Sequence, residues 1–143
     1  MKTAVIDTGV FVSGVFWRHE PHLVLKDWWR GVLLPLVSDE IFSEYAAILE
    51  KVKEEEGFTV QTKPWLDELR ISALWVSLSP LGRRVCRDPE DDKFIAAALS
   101  AGCRSIIARD HDLTVLEKPF GIAMQTPRFW LGTLNRIERR LLG

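Results

Sequence analysis

Four carboxylates stand where an ordinary surface acid is not expected: Asp7, Glu44, Asp92 and Asp110. Asp7 directly follows a short apolar run, Ala4–Ile6, and Asp110 follows another with one residue between. In open α/β sheets, ligands gather outside the carboxyl ends of the strands. Glu44 falls inside an apolar stripe of Ile41, Tyr45, Ile48, Leu49 and Val52 at helical spacing. Asp92 precedes Ile95, Ala96 and Leu99 by 3, 4 and 7 positions and is expected to share their buried face. A charge on a core-facing stripe is costly unless it is paired or bound to metal. Singly, each acid reads as a helix cap, a first-turn anion or a solvated group. Together they converge on one edge of an inferred sheet.

Clustered carboxylates without His or Cys partners suit hard cations, Mg²⁺ or Mn²⁺, which take oxygen ligands and keep several waters. Such sites commonly cleave phosphodiesters, because the metal activates a bound water and neutralises charge on the leaving oxygen. A carboxylate not engaged with metal serves as general base.

The elements that must position these acids alternate along the chain. Strands are expected at Ala4–Ile6, Val32–Val37, Arg104–Ala108 and Gly121–Gln125, with weaker candidates at Trp75–Leu78 and Val85. Pro35 is awkward in its strand. Helices are expected from Thr8 to Trp17, Pro21 to Arg30, Asp39 to Lys53 behind the cap Ser38, and Lys63 to Ala73. Further helices run from Asp88-Pro89 to Ala101 with Gly102 beyond it, from Asp112 to Leu116, and from Thr126-Pro127 to about Leu141. Short strands separated by helices imply a mostly parallel sheet covered on both faces.

The 143 residues form a single domain, 47% hydrophobic and 27% charged, which excludes wholesale disorder. A net charge of −1 excludes a broad cationic surface but not a local basic rim around an acidic site. Cys86 and Cys103 form no CxxC, so neither zinc nor a disulfide framework is expected, and a reducing cytoplasm is the expected compartment. Asp7 interrupts the N-terminal apolar run, against a signal peptide, and no apolar stretch reaches the ~18 residues of a membrane span.

The ordered pieces VIDTGVFVSG (5–14), SDEIFSEYAAIL (38–49), RDPEDDKFIAAALSAG (87–102), SIIARDHDL (105–113) and GIAMQTPRFW (121–130) resemble the PIN domain nucleases over nearly the whole chain. The nearest subgroup is the VapC-like toxin components of bacterial and archaeal toxin–antitoxin pairs. The resemblance implies a three-layer α/β/α sandwich with a central sheet of four to five strands. It also implies a metal-dependent endoribonuclease using Mg²⁺ or Mn²⁺, often a homodimer, and blocked by an antitoxin protein. By the same resemblance Asp7, Glu44, Asp92 and Asp110 are the catalytic and metal-binding acids, with Asp112 near enough to share or take the last role. Thr8 matches the polar position beside the first acid. One departure is Gly9, where the family motif usually has Asn; the missing amide predicts weaker activity or a shifted water network.

Arg109 is placed to bind phosphate, and His111 lies between two acids. Asp88-Pro89-Glu90 reads as a structural cap. His19 and His22 flank Pro21 without a third ligand, against zinc. Arg128, Arg136, Arg139 and Arg140 give the last helix a basic side that guides RNA or complements the helix dipole. Of the adjacent Trp28 and Trp29, one is expected in the core and the other, with Trp17, on a dimer or antitoxin surface; Trp130 is expected to pack. Three other functions compete. A non-catalytic PIN-fold module would bind RNA or protein. An Asp-nucleophile phosphatase would want a second Asp where Gly9 stands, and a phosphate-accepting signalling domain would use Asp7.

Overall fold

The computed structural model describes residues 2–109, 114, 116 and 118–134. Among them, five strands form one parallel sheet in the order β3-β2-β1-β4-β5. The strands are β1 (Lys2–Ile6), β2 (Leu33–Val37), β3 (Leu74–Trp75), β4 (Ser105–Ile107) and β5 (Ala123–Gln125). The α-helices given in full by the described residues are α1 (Thr8–Phe16), α2 (Glu20–Trp29), α3 (Asp39–Glu56), α4 (Lys63–Ser72), α5 (Asp92–Ser100) and α6 (Pro127–Thr133). The arrangement is the PIN-like α/β/α fold. Val5, Ile6, Leu36, Val37, Ile106 and Ile107 are all buried, as strands covered on both faces require.

Several expected boundaries shift for physical reasons. Pro35 sits within β2, opposite Ala4. Alternation in a parallel ladder turns its nitrogen toward β3, and β3 starts to pair only at Leu36, so no ladder bond is lost. The weak strand expected at Trp75–Leu78 is Leu74–Trp75, and Val85 forms no strand. The helix expected from Asp88 divides into a 3₁₀ turn, Pro89–Asp91, and α5. Asp88 caps that turn by accepting from the Glu90 amide at 3.0 Å, which is the structural role its sequence suggests. Gly102, at φ 63°, ends α5: its amide donates to Leu99 and that of Cys103 to Ala98. Most of the helix expected at Asp112–Leu116 lies outside the described residues, as do Arg136, Arg139 and Arg140; the last helix, expected to about Leu141, ends at Thr133, where Leu134 is extended. Both cysteines are buried, and neither forms a disulfide. No helix among the described residues is long and apolar enough to cross a membrane.

Candidate active site

The chain runs from β1 outward to β2 and β3, then returns to the other side of β1 to lay down β4 and β5. The order therefore reverses between β1 and β4, and their carboxyl ends border the crevice where such sheets bind ligands.

Asp7 stands at that point. Its amide donates to the Ile107 carbonyl at 2.9 Å, extending the β1–β4 ladder by one bond. Its carboxylate is 3% exposed yet doubly held: Oδ1 accepts from the Val10 amide at 2.7 Å, capping α1, and Oδ2 accepts from the Arg109 amide at 3.2 Å. The capping geometry also sets the anion at the positive end of α1.

Glu44 is carried by α3, whose residues Ile41, Tyr45 and Leu49 are buried. The hydroxyl of Thr8 donates to its Oε2. The ammonium of Lys93 lies 2.6 Å from its Oε1, and Lys93 retains only 12% side-chain exposure. The charge that the sequence places on a core-facing stripe is thus paired, and the pair ties α3 to the starts of α1 and α5. Thr8 acts here as a strut between the two acids.

Tyr45 fastens the same junction. Its ring stacks on Phe11 at 4.2 Å, and its hydroxyl donates to the Ile6 carbonyl, the last of β1 before Asp7. Burial, then the charges of Asp7 and Glu44, push its phenol well above 10. Folding raises this pKa, so the contribution to stability is complete below the free phenol value of 10.0 and is lost as pH rises toward the folded value. Tyr45 is the chain's single tyrosine. Phenolate absorbance in an alkaline titration is therefore expected to appear in one step with loss of far-ultraviolet circular dichroism. Phenolate forming earlier, while the fold is intact, would contradict this environment.

Asp92 is directed elsewhere. Its Oδ1 accepts from the Cys86 amide at 2.6 Å and its Oδ2 from the Val85 amide at 3.0 Å. Burial raises its pKa, but hydrogen bonds from Cys86 and the Val85 amide, with the charge of Arg84, outweigh this and hold it below 3.8. Its clamp on the 85–86 segment thus adds stability above that value, lost as pH falls through the folded pKa. Asp92→Ala leaves two amides without acceptors and is expected to cost about 1–2 kcal/mol at neutral pH. Thermal melts of the two proteins should converge below about pH 4; a constant gap would remove Asp92 as the source.

Of the residues expected to share the face of Asp92, Ile95 and Ala96 are buried, whereas Leu99 is 41% exposed. The buried residues of α5 are Phe94, Ile95, Ala96, Ala97 and Ala98.

Asp110, His111 and Asp112 lie outside the described residues. Among the described residues, no three His, Cys, Asp or Glu side chains are grouped closely enough to hold a metal. Among those residues Asp92 accepts from the 85–86 amides, while Glu44 is engaged with Thr8 and Lys93. A Cβ built on Gly9 would lie 3.8 Å from Asp7 Oδ1 in ordinary contact, so this position has room for a side chain beside the first acid.

The family model of the PIN domain matches residues 3–112. The chain belongs to the PIN domain family. The match spans β1 through β4 and includes every acid considered above. PIN domains are generally nucleases, so the hydrolase class follows for this PIN domain. No curated protein matches its sequence.

Proposed function

We propose that this PIN domain is a metal-dependent endoribonuclease. The observation that carries the reading is Asp7, buried at the β1–β4 crossover and pinned by two backbone amides, with Glu44 joined to it through Thr8. The donors among the described residues are carboxylate and hydroxyl oxygens, which suit Mg²⁺ or Mn²⁺. The acids proposed to hold the cation are Asp7, Glu44 and Asp92, with Asp110 or Asp112. When bound, the metal supplies an activated water and neutralises charge on the phosphodiester.

The chain's own groups do the rest. The two amides fix Asp7 in one rotamer, so its carboxylate keeps a constant position. Thr8 orients Glu44. Lys93 neutralises Glu44 and stands ready to meet a phosphate oxygen when Glu44 turns to a cation. Arg109 has its amide on Asp7 and its guanidinium directed along the crevice, where it binds the RNA backbone. By family resemblance the protein acts in the cytoplasm as the toxin of a toxin–antitoxin pair, restrained by an antitoxin protein, and forms a homodimer.

The test is incubation with labelled single-stranded and hairpin RNAs in Mg²⁺, Mn²⁺ or EDTA. Cleavage is expected with either metal and is abolished by EDTA. A second reading, a non-catalytic RNA- or protein-binding module, draws on Lys93 already occupying Glu44 and on Gly9 in the first motif. RNA binding without cleavage under any condition would favour it.

A further inference from the structure

We propose that the cleft lined by Ser13, Trp17, His19, Pro21 and Arg109 is a nucleotide subsite, in which Trp17 stacks an unpaired base and Arg109 binds the adjoining phosphate. The proposal rests on the nuclease reading, because its occupant is a part of the RNA substrate. The cleft has a volume of about 380 Å³. It is coupled to the acid site by one residue: the Arg109 amide donates to Asp7 Oδ2, while its guanidinium donates to Ser13 Oγ at 2.9 Å. The second bond lays the guanidinium along the cleft wall, and its planar fork of donors matches a phosphate.

Trp17 ends α1, ten residues beyond Asp7, hence on the order of 15 Å along the helix axis. That separation suits an oligonucleotide, which can lie along α1 with one phosphate at the acids and a base at the far wall. The indole is held edge-to-face by Phe16 (6.1 Å, 79°) and by Phe58 (5.3 Å, 82°). It nevertheless remains 38% exposed. A large ring fixed by two neighbours loses little freedom when a base covers it. Stacking of this kind needs a base out of its duplex, so the ligand is single-stranded RNA or a loop.

The charge of the chain points the same way. A net charge of −1 supplies no overall cationic excess, which gives weight to stacking and to a few phosphate contacts in the affinity. The salt dependence is then shallow, with a log–log slope of roughly −0.7 for each phosphate engaged.

The experiment measures binding apart from cleavage. A short fluorescein-labelled single-stranded RNA is titrated with the full chain by anisotropy, with Ca²⁺ replacing Mg²⁺. Trp17→Ala should weaken binding about tenfold, in keeping with the loss of one base–aromatic stack. Trp17→Phe, which preserves the packing on Phe16 and Phe58, should recover most of the affinity. Thermal melts establish that both variants are folded. Equal affinity of the wild type and a folded Trp17→Ala variant would overturn the subsite and leave the nuclease reading standing. A wild type that binds no RNA would overturn it as well, and the metal-lane cleavage assay then decides the nuclease reading separately. A change of particle mass on light scattering with unchanged RNA affinity would reassign Trp17 to a protein interface.

Discussion

Asp7→Asn is expected to lower RNA cleavage by about 10²–10³-fold, the size of loss that follows removal of one preorganised electrostatic group. The variant still folds. An asparagine keeps a carbonyl oxygen for the Val10 amide and so preserves the α1 cap. It cannot accept from the Arg109 amide, because its second atom is an NH₂ donor. That loss costs about 1–2 kcal/mol, and for a chain of this size each kcal/mol lowers Tm by roughly 2–4 °C. Cleavage rates and melting curves on one preparation separate the two effects: rate falls by orders of magnitude while Tm falls by a few degrees. A variant that melts as expected yet cleaves at the wild-type rate would place the chemistry away from the β1–β4 crossover.

Much of this site is legible in the sequence because its first acid follows a strand directly. An apolar triplet ending in Asp fixes both an element and its edge, and the structure extends Ala4–Ile6 by only two residues toward the N-terminus. Glu44 is legible for a different reason, since a charge within the stripe of Ile41, Tyr45 and Leu49 asks for a partner. The partner itself is not legible. Lys93 lies 49 positions away and Thr8 lies 36, and only the stacking of α1, α3 and α5 over one sheet edge brings them together. The face of α5 is only partly legible, because a run of alanines marks helical phase weakly: Ile95 and Ala96 are buried as read, but Leu99 is exposed while Phe94 and Ala98 are buried. β3 is blurred because Leu74 and Trp75 are both substantially exposed at the sheet edge, so no alternation marks them. Trp17 and Arg109 show no mutual signal in sequence, since their common cleft depends on where α1 ends and on the return of the chain to β4.

Gly14→Ala is expected to destabilise the fold by about 1–3 kcal/mol, although alanine is the better helix former by about 1 kcal/mol. A Cβ at this position would lie 2.7 Å from Leu25 Cδ1 and Cγ and 2.8 Å from the Pro21 carbonyl oxygen. Leu25 is fully buried and the third contact is backbone, so neither neighbour can simply swing aside. Relief requires α2 to move away from α1, and that movement strains the 2.7 Å bond between His22 Nδ1 and the Gly14 carbonyl. Pro21 is also a wall of the Trp17 cleft, so RNA affinity should fall with stability. Gly132→Ala supplies the contrast. Gly132 lies within α6, and a Cβ there would meet nothing within 4 Å among the described residues, so the same substitution should raise stability by up to about 1 kcal/mol. The two variants are therefore expected to move Tm in opposite directions, and a higher Tm for Gly14→Ala would contradict the close approach of α1 and α2.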